Sequence, residues 1–210
     1  MLMGKQGGVP TPEERELECH RAELQRLLAE AGTAKVKYKT PQIHAVPPGM
    51  AWIAHPMCLL NSKLWKSLGI YERRFLEALE IEHCRHAGKE NGFLIMTYDQ
   101  AEDHGVKRSR FSDTLKRLVE LRLVEVTHQG KYRQAALADP SRYRLTYLLH
   151  RIESATGPPT YVQAQHEWAA VELAILDGRY KLPPPQHTAP SRKKPVDVEE
   201  PIINPARAAS

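Results

Sequence analysis

The sequence predicts a mainly α-helical protein with one small antiparallel β-hairpin. Two observations lead to this fold class. Apolar residues recur at helical spacing in several segments of the first 121 residues, and capping signals precede these segments. Apolar and polar residues alternate, as they do in half-buried strands, at 123–127 and again at 143–147. The two alternating segments are close enough in sequence to pair as a hairpin.

The first helix is expected from Thr11 to Ala31, just before Gly32. Thr11 can cap this helix, Pro12 suits its first turn, and Glu14 completes a capping box. A seven-residue apolar repeat is formed by Leu17, Leu24 and Ala31. The repeat fits a short coiled-coil contact with a second copy, and it equally fits a helix that packs on its own domain.

A linker and two more helices are expected next. Residues 33–56 contain several prolines and lysines and are interpreted as a linker, so the domain proper is expected over 57–150. Ser62 can cap a short helix. A longer helix is expected over 71–85, and the apolar residues that face the core from it are Phe75, Leu76 and Leu79.

Two short helices joined by a glycine-containing turn are predicted between residues 97 and 121. Thr97 and Gln100 can form a capping box, and Gly105 can take the left-handed conformation that ends the first helix. In the second helix, about 107–121, one apolar face is formed by Phe111, Leu115 and Leu118. This is the helix-turn-helix arrangement, whose second helix can enter a DNA major groove.

A β-rich region directly follows these helices. Val124 and Val126 alternate with polar residues, and 128–133 is expected to form a loop tip. A returning strand is expected from Tyr143 to Tyr147. The hairpin, about 123–147, would be a β-wing. The predicted fold is therefore a winged helix-turn-helix core with helical N- and C-terminal extensions.

A set of short motifs between Pro56 and Tyr147, under half the chain, supports the same fold. The motifs are Glu90-Asn91-Gly92, Thr97-Tyr98-Asp99, Gly105-Val106, Leu118–Val126 and Tyr143–Tyr147. Together they resemble small winged helix proteins of proteobacteria that are linked to phage and plasmid DNA. Two positions depart from the commoner pattern. An apolar residue is usual where this chain has Gln100. A glycine is often found where it has Arg122, because a left-handed turn ends the helix there. A non-glycine residue in that conformation costs roughly 1 kcal/mol.

The distribution of charge favours an anionic partner. The chain carries a net charge of +5. Residues 71–104 contain eight acidic and four basic residues, whereas 105–151 contain eleven basic and four acidic residues. The sign changes where the second helix of the pair begins, and a DNA backbone requires such a cationic surface. A basic helix face that is merely solvated is the competing interpretation.

The expected function is therefore double-stranded DNA binding in transcription or replication control. The candidates for base reading, at the start of the recognition helix, are Arg108, Ser109, Arg110 and Asp113. The candidates for phosphate contacts are Lys107, Lys116, Arg117, Lys131 and Arg133. Two alternatives stay open: a winged helix that binds an acidic protein partner, and an accessory or initiator protein of plasmid or phage replication.

The C-terminal part should contribute one further helix, over 160–178, capped by Thr160 and Gln163. The apolar residues that share a face of it are Tyr161, Ala164, Trp168, Val171 and Ile175. A homodimer is expected through this helix (Tyr161–Asp177) or through Thr11–Ala31, unless Trp168 packs on its own chain. Residues 1–10 and 183–210 are expected to be disordered.

Several other classes of protein are not expected. No pattern of a catalytic or cofactor site occurs, so we expect no enzyme and no cofactor. His83, Cys84 and His86 lie close in sequence, but no second pair with ligand spacing follows, so no metal site is expected. Three scattered cysteines indicate reduced thiols. Without a signal segment or a membrane-spanning run, we expect a cytoplasmic, nucleoid-associated protein.

Overall fold

The computed structural model describes residues 11–31, 35–36, 53–130 and 139–184 of the chain. The helices are α1 (Pro12–Glu30), α2 (Met57–Asn61), α3 (Lys63–Lys66), α4 (Ile70–Arg85), α5 (Tyr98–Asp103), α6 (Arg108–Glu120) and α7 (Trp168–Leu176). The strands are β1 (Lys35–Val36), β2 (Leu94–Ile95), β3 (Val124–His128), β4 (Arg142–Leu145), β5 (His150–Ile152) and β6 (Thr160–Val162). A mainly helical fold with a small amount of antiparallel β structure is thus confirmed.

Some predictions fall on parts of the chain outside these described ranges. They are the disorder of residues 1–10 and of 185–210, most of the linker, and the wing tip with Lys131 and Arg133. The described strand β1 lies within the segment that was expected to be a linker.

The strands form two three-stranded antiparallel sheets. One sheet has the order β2-β4-β3, so that the hairpin strand β4 pairs with the short strand that precedes α5. Its register places Val124 opposite Leu145 and Val126 opposite Tyr143. The other sheet has the order β1-β6-β5. The first sheet therefore connects the two ends of the α5–α6 segment.

The capping residues predicted for α3 and α5, and the glycine predicted to end α5, are found as expected. The side chains of Thr97 and Gln100 make a capping box at the start of α5, and Ser62 accepts a hydrogen bond at the start of α3. Gly105 has φ of +78°, the left-handed conformation that a glycine tolerates. The backbone oxygen of Gly105 also accepts a hydrogen bond from Arg74 of α4, at 3.2 Å. The turn between α5 and α6 is therefore held from a third helix.

The core includes the space between α4, α6 and the β2-β4-β3 sheet, and it extends to α1 and α7. Phe75 and Leu79 of α4 are fully buried, as is Leu118 of α6. The rings of Phe75 and Phe111 meet edge to face with centroids 5.1 Å apart. Asn91 is also buried and fixes the end of β4, since its side chain bonds both the backbone N–H and the carbonyl of Leu145. These contacts fix the position of α6 relative to the hairpin.

The predicted helix over 160–178 is wrong in its first half. Thr160–Val162 form β6, and the helix begins only at Trp168, after His166 with φ of +47°. The residues of β6 are a Thr, a Tyr and a Val, which all favour strands, and two neighbouring strands pair with them. The expected capping box of Thr160 and Gln163 has no helix to cap.

Helix α7 packs against α1 and α3 of the same chain. Trp168 is fully buried there, so the centre of the stripe expected to join two copies is already covered. Arg21 of α1 hydrogen-bonds the carbonyl of Leu176 at 3.0 Å and pairs with Asp177. The two helices named as candidate dimer contacts therefore pack on each other.

Candidate nucleic-acid interface

The N-terminal end of α6 is fully open to solvent. Lys107, Arg108, Ser109 and Arg110 are all exposed, and no side chain caps the helix at Lys107. The first backbone N–H groups of a helix lack internal partners and attract anions. Three basic side chains and a helix N-terminus thus meet at one surface.

Arg108 is the most constrained cation of this surface. It pairs with Asp99 of α5, and its guanidinium lies over the ring of Tyr98, 5.6 Å from the centroid. The Tyr98 ring in turn packs on Phe111 at 4.5 Å. Sequence reasoning missed this positioning role of Tyr98 and Asp99. The signal in the sequence that could have indicated this role is the helix-turn-helix pattern, which brings the first turn of α5 close to the first turn of α6.

Arg110 and the next turns of α6 are less constrained. Among the described residues, Arg110 has no ion-pair partner. Asp113 and Lys116 are exposed as expected, and Glu120 extends the same face. Beyond its first turn, the solvent face of α6 therefore carries charges of both signs.

Arg117 was expected to contact phosphate, and this prediction is wrong. Its side chain is 1% exposed and lies 3.4 Å from the equally buried carboxylate of Glu72 in α4. It also donates hydrogen bonds to the carbonyls of Pro183 and Pro184, at 3.0 and 3.4 Å. Arg117 therefore ties α4, α6 and the end of the described chain together, and no DNA can reach it.

Several basic residues of 105–151 are buried or paired with carboxylates, so fewer of them are available to an anionic partner than the sequence count suggests. Arg144 is buried and pairs with Glu125 and Glu167, and Arg151 pairs with two carboxylates. In the described part of this segment, the exposed basic residues without an ion pair are Lys107, Arg110, Lys116 and Arg122. Of these four, Lys107 and Arg110 lie at the start of α6, Lys116 lies within the helix and Arg122 follows its end.

The base of the β3-β4 hairpin is closed by a polar pair. The ring Nε2 of His128 lies 2.9 Å from a carboxylate oxygen of Asp139. A groove of about 500 Å³ runs between this base and α6. Its apolar lining includes Met96, Tyr98, Leu115, Val119 and Val126. An apolar surface therefore lies beside the basic end of α6.

The histidine and cysteine cluster of α4 does not form a ligand set. His83 is buried, whereas His86 is exposed and pairs with Glu82 at 3.1 Å. Burial lowers the pKa of His83 to about 4. In the described ranges, no group of three or more such side chains is arranged to hold a metal ion. The three cysteines are free thiols.

Comparison of the chain with protein-family models, curated proteins and solved structures finds no match. Among the helices that the structure describes, none is both long and apolar enough to cross a bilayer. The functional argument therefore depends on the geometry of α5, α6 and the hairpin.

Proposed function

We propose that this protein binds double-stranded DNA and regulates transcription or replication. In this proposal residues 57–150 are a winged helix-turn-helix domain, α6 is its recognition helix and the β3-β4 hairpin is its wing. The order of elements supports it: a helix, a short strand, two helices and a hairpin, with β4 between β2 and β3. The observation that carries the proposal is the exposed basic first turn of α6.

The first turn of α6 offers both kinds of DNA contact. Arg108 and Arg110 extend from the end of the helix that enters a major groove, where an arginine can bond O6 and N7 of a guanine. Lys107 and a helix N-terminus that no side chain caps suit a phosphate. Ser109 and Asp113 follow on the exposed face and would extend the contact along the groove, whereas Lys116 would contact a phosphate.

Duplex binding by the full chain tests this proposal. A fluorescently labelled random duplex and a duplex selected from a randomised library would each be titrated at several salt concentrations. We expect the logarithm of affinity to fall linearly with the logarithm of salt concentration. Arg110→Ala should weaken binding to the selected duplex more than binding to the random one, since one bidentate base contact is worth roughly 1–3 kcal/mol.

Two variants give the controls for that titration. Lys116→Ala should weaken both duplexes equally and flatten the salt slope by about 0.9, which is the effect of one lost phosphate contact. Lys66→Ala removes an exposed lysine from α3 and should leave the affinity for both duplexes unchanged. Equal losses on both duplexes for Arg110→Ala would make it a phosphate contact. A wild-type chain that binds no duplex at low salt would refute the proposal.

A protein-interaction module is the second candidate. Two observations favour it: the mixed charge of the α6 face and the apolar groove of about 500 Å³ beside it. An interaction of this kind would depend weakly on salt and strongly on Leu115 and Val126. Binding to DNA that is abolished by Arg110→Ala but unaffected by Val126→Ser would argue against it. A nicking assay addresses the third idea, a replication initiator.

A further inference from the structure

Arg108 is an exposed cation that two side chains of a neighbouring helix hold in place. Its Nη2 donates a hydrogen bond to a carboxylate oxygen of Asp99, and its guanidinium carbon lies 5.6 Å from the centroid of the Tyr98 ring. Both partners belong to the first turn of α5, which the capping box of Thr97 and Gln100 fixes. The orientation of Arg108 on α6 is therefore set from α5.

The Tyr98 ring is itself connected to the core. It packs on the ring of Phe111 with centroids 4.5 Å apart, and Phe111 meets the fully buried Phe75 at 5.1 Å. Aromatic pairs at these distances attract each other, and a guanidinium stacks well on an aromatic face. A continuous row of rings thus runs from the core to Arg108.

The guanidinium of Arg108 keeps donors for a further acceptor. A guanidinium carries five N–H groups in a planar fork, and Asp99 accepts a hydrogen bond from Nη2. The side chain of Arg108 is 62% exposed, so a large molecule can reach it. A planar pair of N–H groups matches two acceptors on one edge, and in the major groove O6 and N7 of guanine form such a pair.

The other cations of the first turn of α6 have no such support. Among the described residues, neither Lys107 nor Arg110 has an ion pair or lies over an aromatic ring. A long side chain that is ordered only on binding loses rotamer freedom at that moment, and the loss opposes binding. Arg108 is already ordered in the free protein. A donor pair that is held in advance distinguishes the bases better than a mobile one.

We propose that Asp99 and Tyr98 are positioning residues that orient Arg108 to read one guanine of the DNA site. The inference rests on the proposed function, because it requires α6 to enter the major groove. Two N–H groups of Arg108 would donate to O6 and N7 of that guanine, while Asp99 and the Tyr98 ring hold the guanidinium plane. The recognised duplex therefore carries a guanine where the first turn of α6 meets it.

The charge of Asp99 makes the inference specific. Its carboxylate is 82% exposed and is repelled by phosphates, so removing the charge should not weaken binding to a random duplex. If Asp99 positions Arg108, the same change should reduce the preference for guanine. A residue that merely stabilises the fold would lower both affinities together.

Fluorescence anisotropy of the full chain tests the inference. The probes are a duplex selected from a randomised library, its single-base-pair variants, and a random duplex. Arg108→Ala identifies the base pair that Arg108 reads, since the preference for guanine should disappear there and persist elsewhere. We expect the wild type to prefer guanine at that position by at least about fivefold, the lower end for a bidentate contact.

Asp99→Asn should reduce this preference by about threefold at the same base pair, the effect expected of one exposed ion pair. It should bind the random duplex at least as tightly as the wild type does. Asp103→Asn is the matched control, because it removes the same charge from the other end of α5 and should leave the preference unchanged. Tyr98→Ala should also reduce the preference, whereas Tyr98→Phe keeps the ring and should preserve it.

Several results would overturn the inference and leave DNA binding standing. They are a wild type that binds duplex without preferring any base, an Arg108→Ala variant that keeps every guanine preference, and an Asp99→Asn variant that keeps the preference at the base pair read by Arg108. A preference that Asp99→Asn loses at a different base pair would also overturn it, since Asp99 would then contact a base directly. Equal losses for Tyr98→Phe and Tyr98→Ala would overturn the role of the ring. A wild type that binds no duplex at low salt would refute the proposed function together with the inference.

Discussion

The turn after α6 places strain on a single residue, Arg122. Its φ is +57°, in the left-handed region that side chains other than glycine rarely adopt. The sequence predicted this conformation, because the winged helix pattern often has a glycine there. The neighbouring contacts keep the turn in place: the N–H of Arg122 bonds Val119, and its carbonyl accepts from the hydroxyl of Thr146 at 2.7 Å. The strain is therefore imposed by the fold.

Arg122→Gly should stabilise the protein by up to about 1 kcal/mol, since glycine adopts this φ without a steric cost. Urea unfolding measures the change. Arg122→Ala is the matched control, because alanine keeps the Cβ and with it the strain. Equal effects of the two substitutions would place the cause in the lost arginine side chain and not in the backbone.

The buried ring of His83 should make the protein sensitive to acid. Its pKa is about 4 in the folded protein, because burial disfavours the charged ring, against 6.5 for an unperturbed histidine. Between these values the unfolded chain binds more protons than the folded one, so stability falls as the pH falls from about 6.5 to 4. The full loss from this one group is on the order of 3 kcal/mol.

His83→Gln should therefore lose less stability than the wild type between pH 7 and pH 4.5, although it starts from a lower value. Urea midpoints measured at several pH values give the comparison. His83→Asn likewise removes the titrating ring and should flatten the pH curve in the same way as His83→Gln. A His83→Gln curve parallel to that of the wild type would show that the acid loss comes from other groups.

At the scale of elements, the phase of α6 determines which of its side chains stabilise the fold. Leu118 is fully buried, whereas Leu115 is half-buried and lines the groove beside the hairpin. Leu118→Ala should cost about 2–5 kcal/mol, and Leu115→Ala should cost less, roughly 1 kcal/mol. Denaturant melts of the two variants measure the difference. The opposite order would mean that the helix is rotated about its axis.

The elements that the sequence predicted correctly have short-range signals. The capping boxes of α1 and α5 join residues three positions apart, and Gly105 ends α5 on its own. The helix over Tyr71–Arg85 was likewise placed to within one residue, from the spacing of its apolar side chains. Contacts of this range join residues that are only a few positions apart, so a single sequence is sufficient to predict them.

The predictions that failed depended on distant partners. Arg117 has the spacing of a boundary position on α6, and only Glu72 and the chain at Pro183 make it a buried residue. Thr160–Val162 become a strand because β5 and β1 lie on either side of them. The same limit applies to the candidate interface: the sequence placed Arg108 correctly on the first turn of α6, but it did not show that Asp99 pairs with it.

At the scale of the whole molecule, α7 joins parts of the chain that are far apart in sequence. The carboxylate of Glu172, which is fully buried, accepts hydrogen bonds from the backbone N–H groups of Lys63 and Leu64, both at 2.9 Å. These groups begin α3, where a negative charge is favourable. His20 of α1 lies 3.7 Å from the same carboxylate. One side chain of α7 therefore links α1 and α3.

A chain that ends at Ser154 should for this reason lose stability as a whole, and not merely a separate appendage. The truncation removes the carboxylate that caps α3 and all of α7, which packs on α1. We expect a lower urea midpoint, and faster amide exchange in α1 and α3 than in α4. A chain that ends at Pro184 keeps α7 and the carbonyls that bind Arg117, so its midpoint should lie above that of the chain that ends at Ser154. Equal midpoints for both truncated chains would show that α7 contributes nothing to the fold.

Because Trp168 is buried within one chain, sedimentation of the intact protein should also give a monomer at tens of micromolar, a concentration at which weak dimers form. A dimer that persists in the chain ending at Ser154 would place the contact on a surface other than α7.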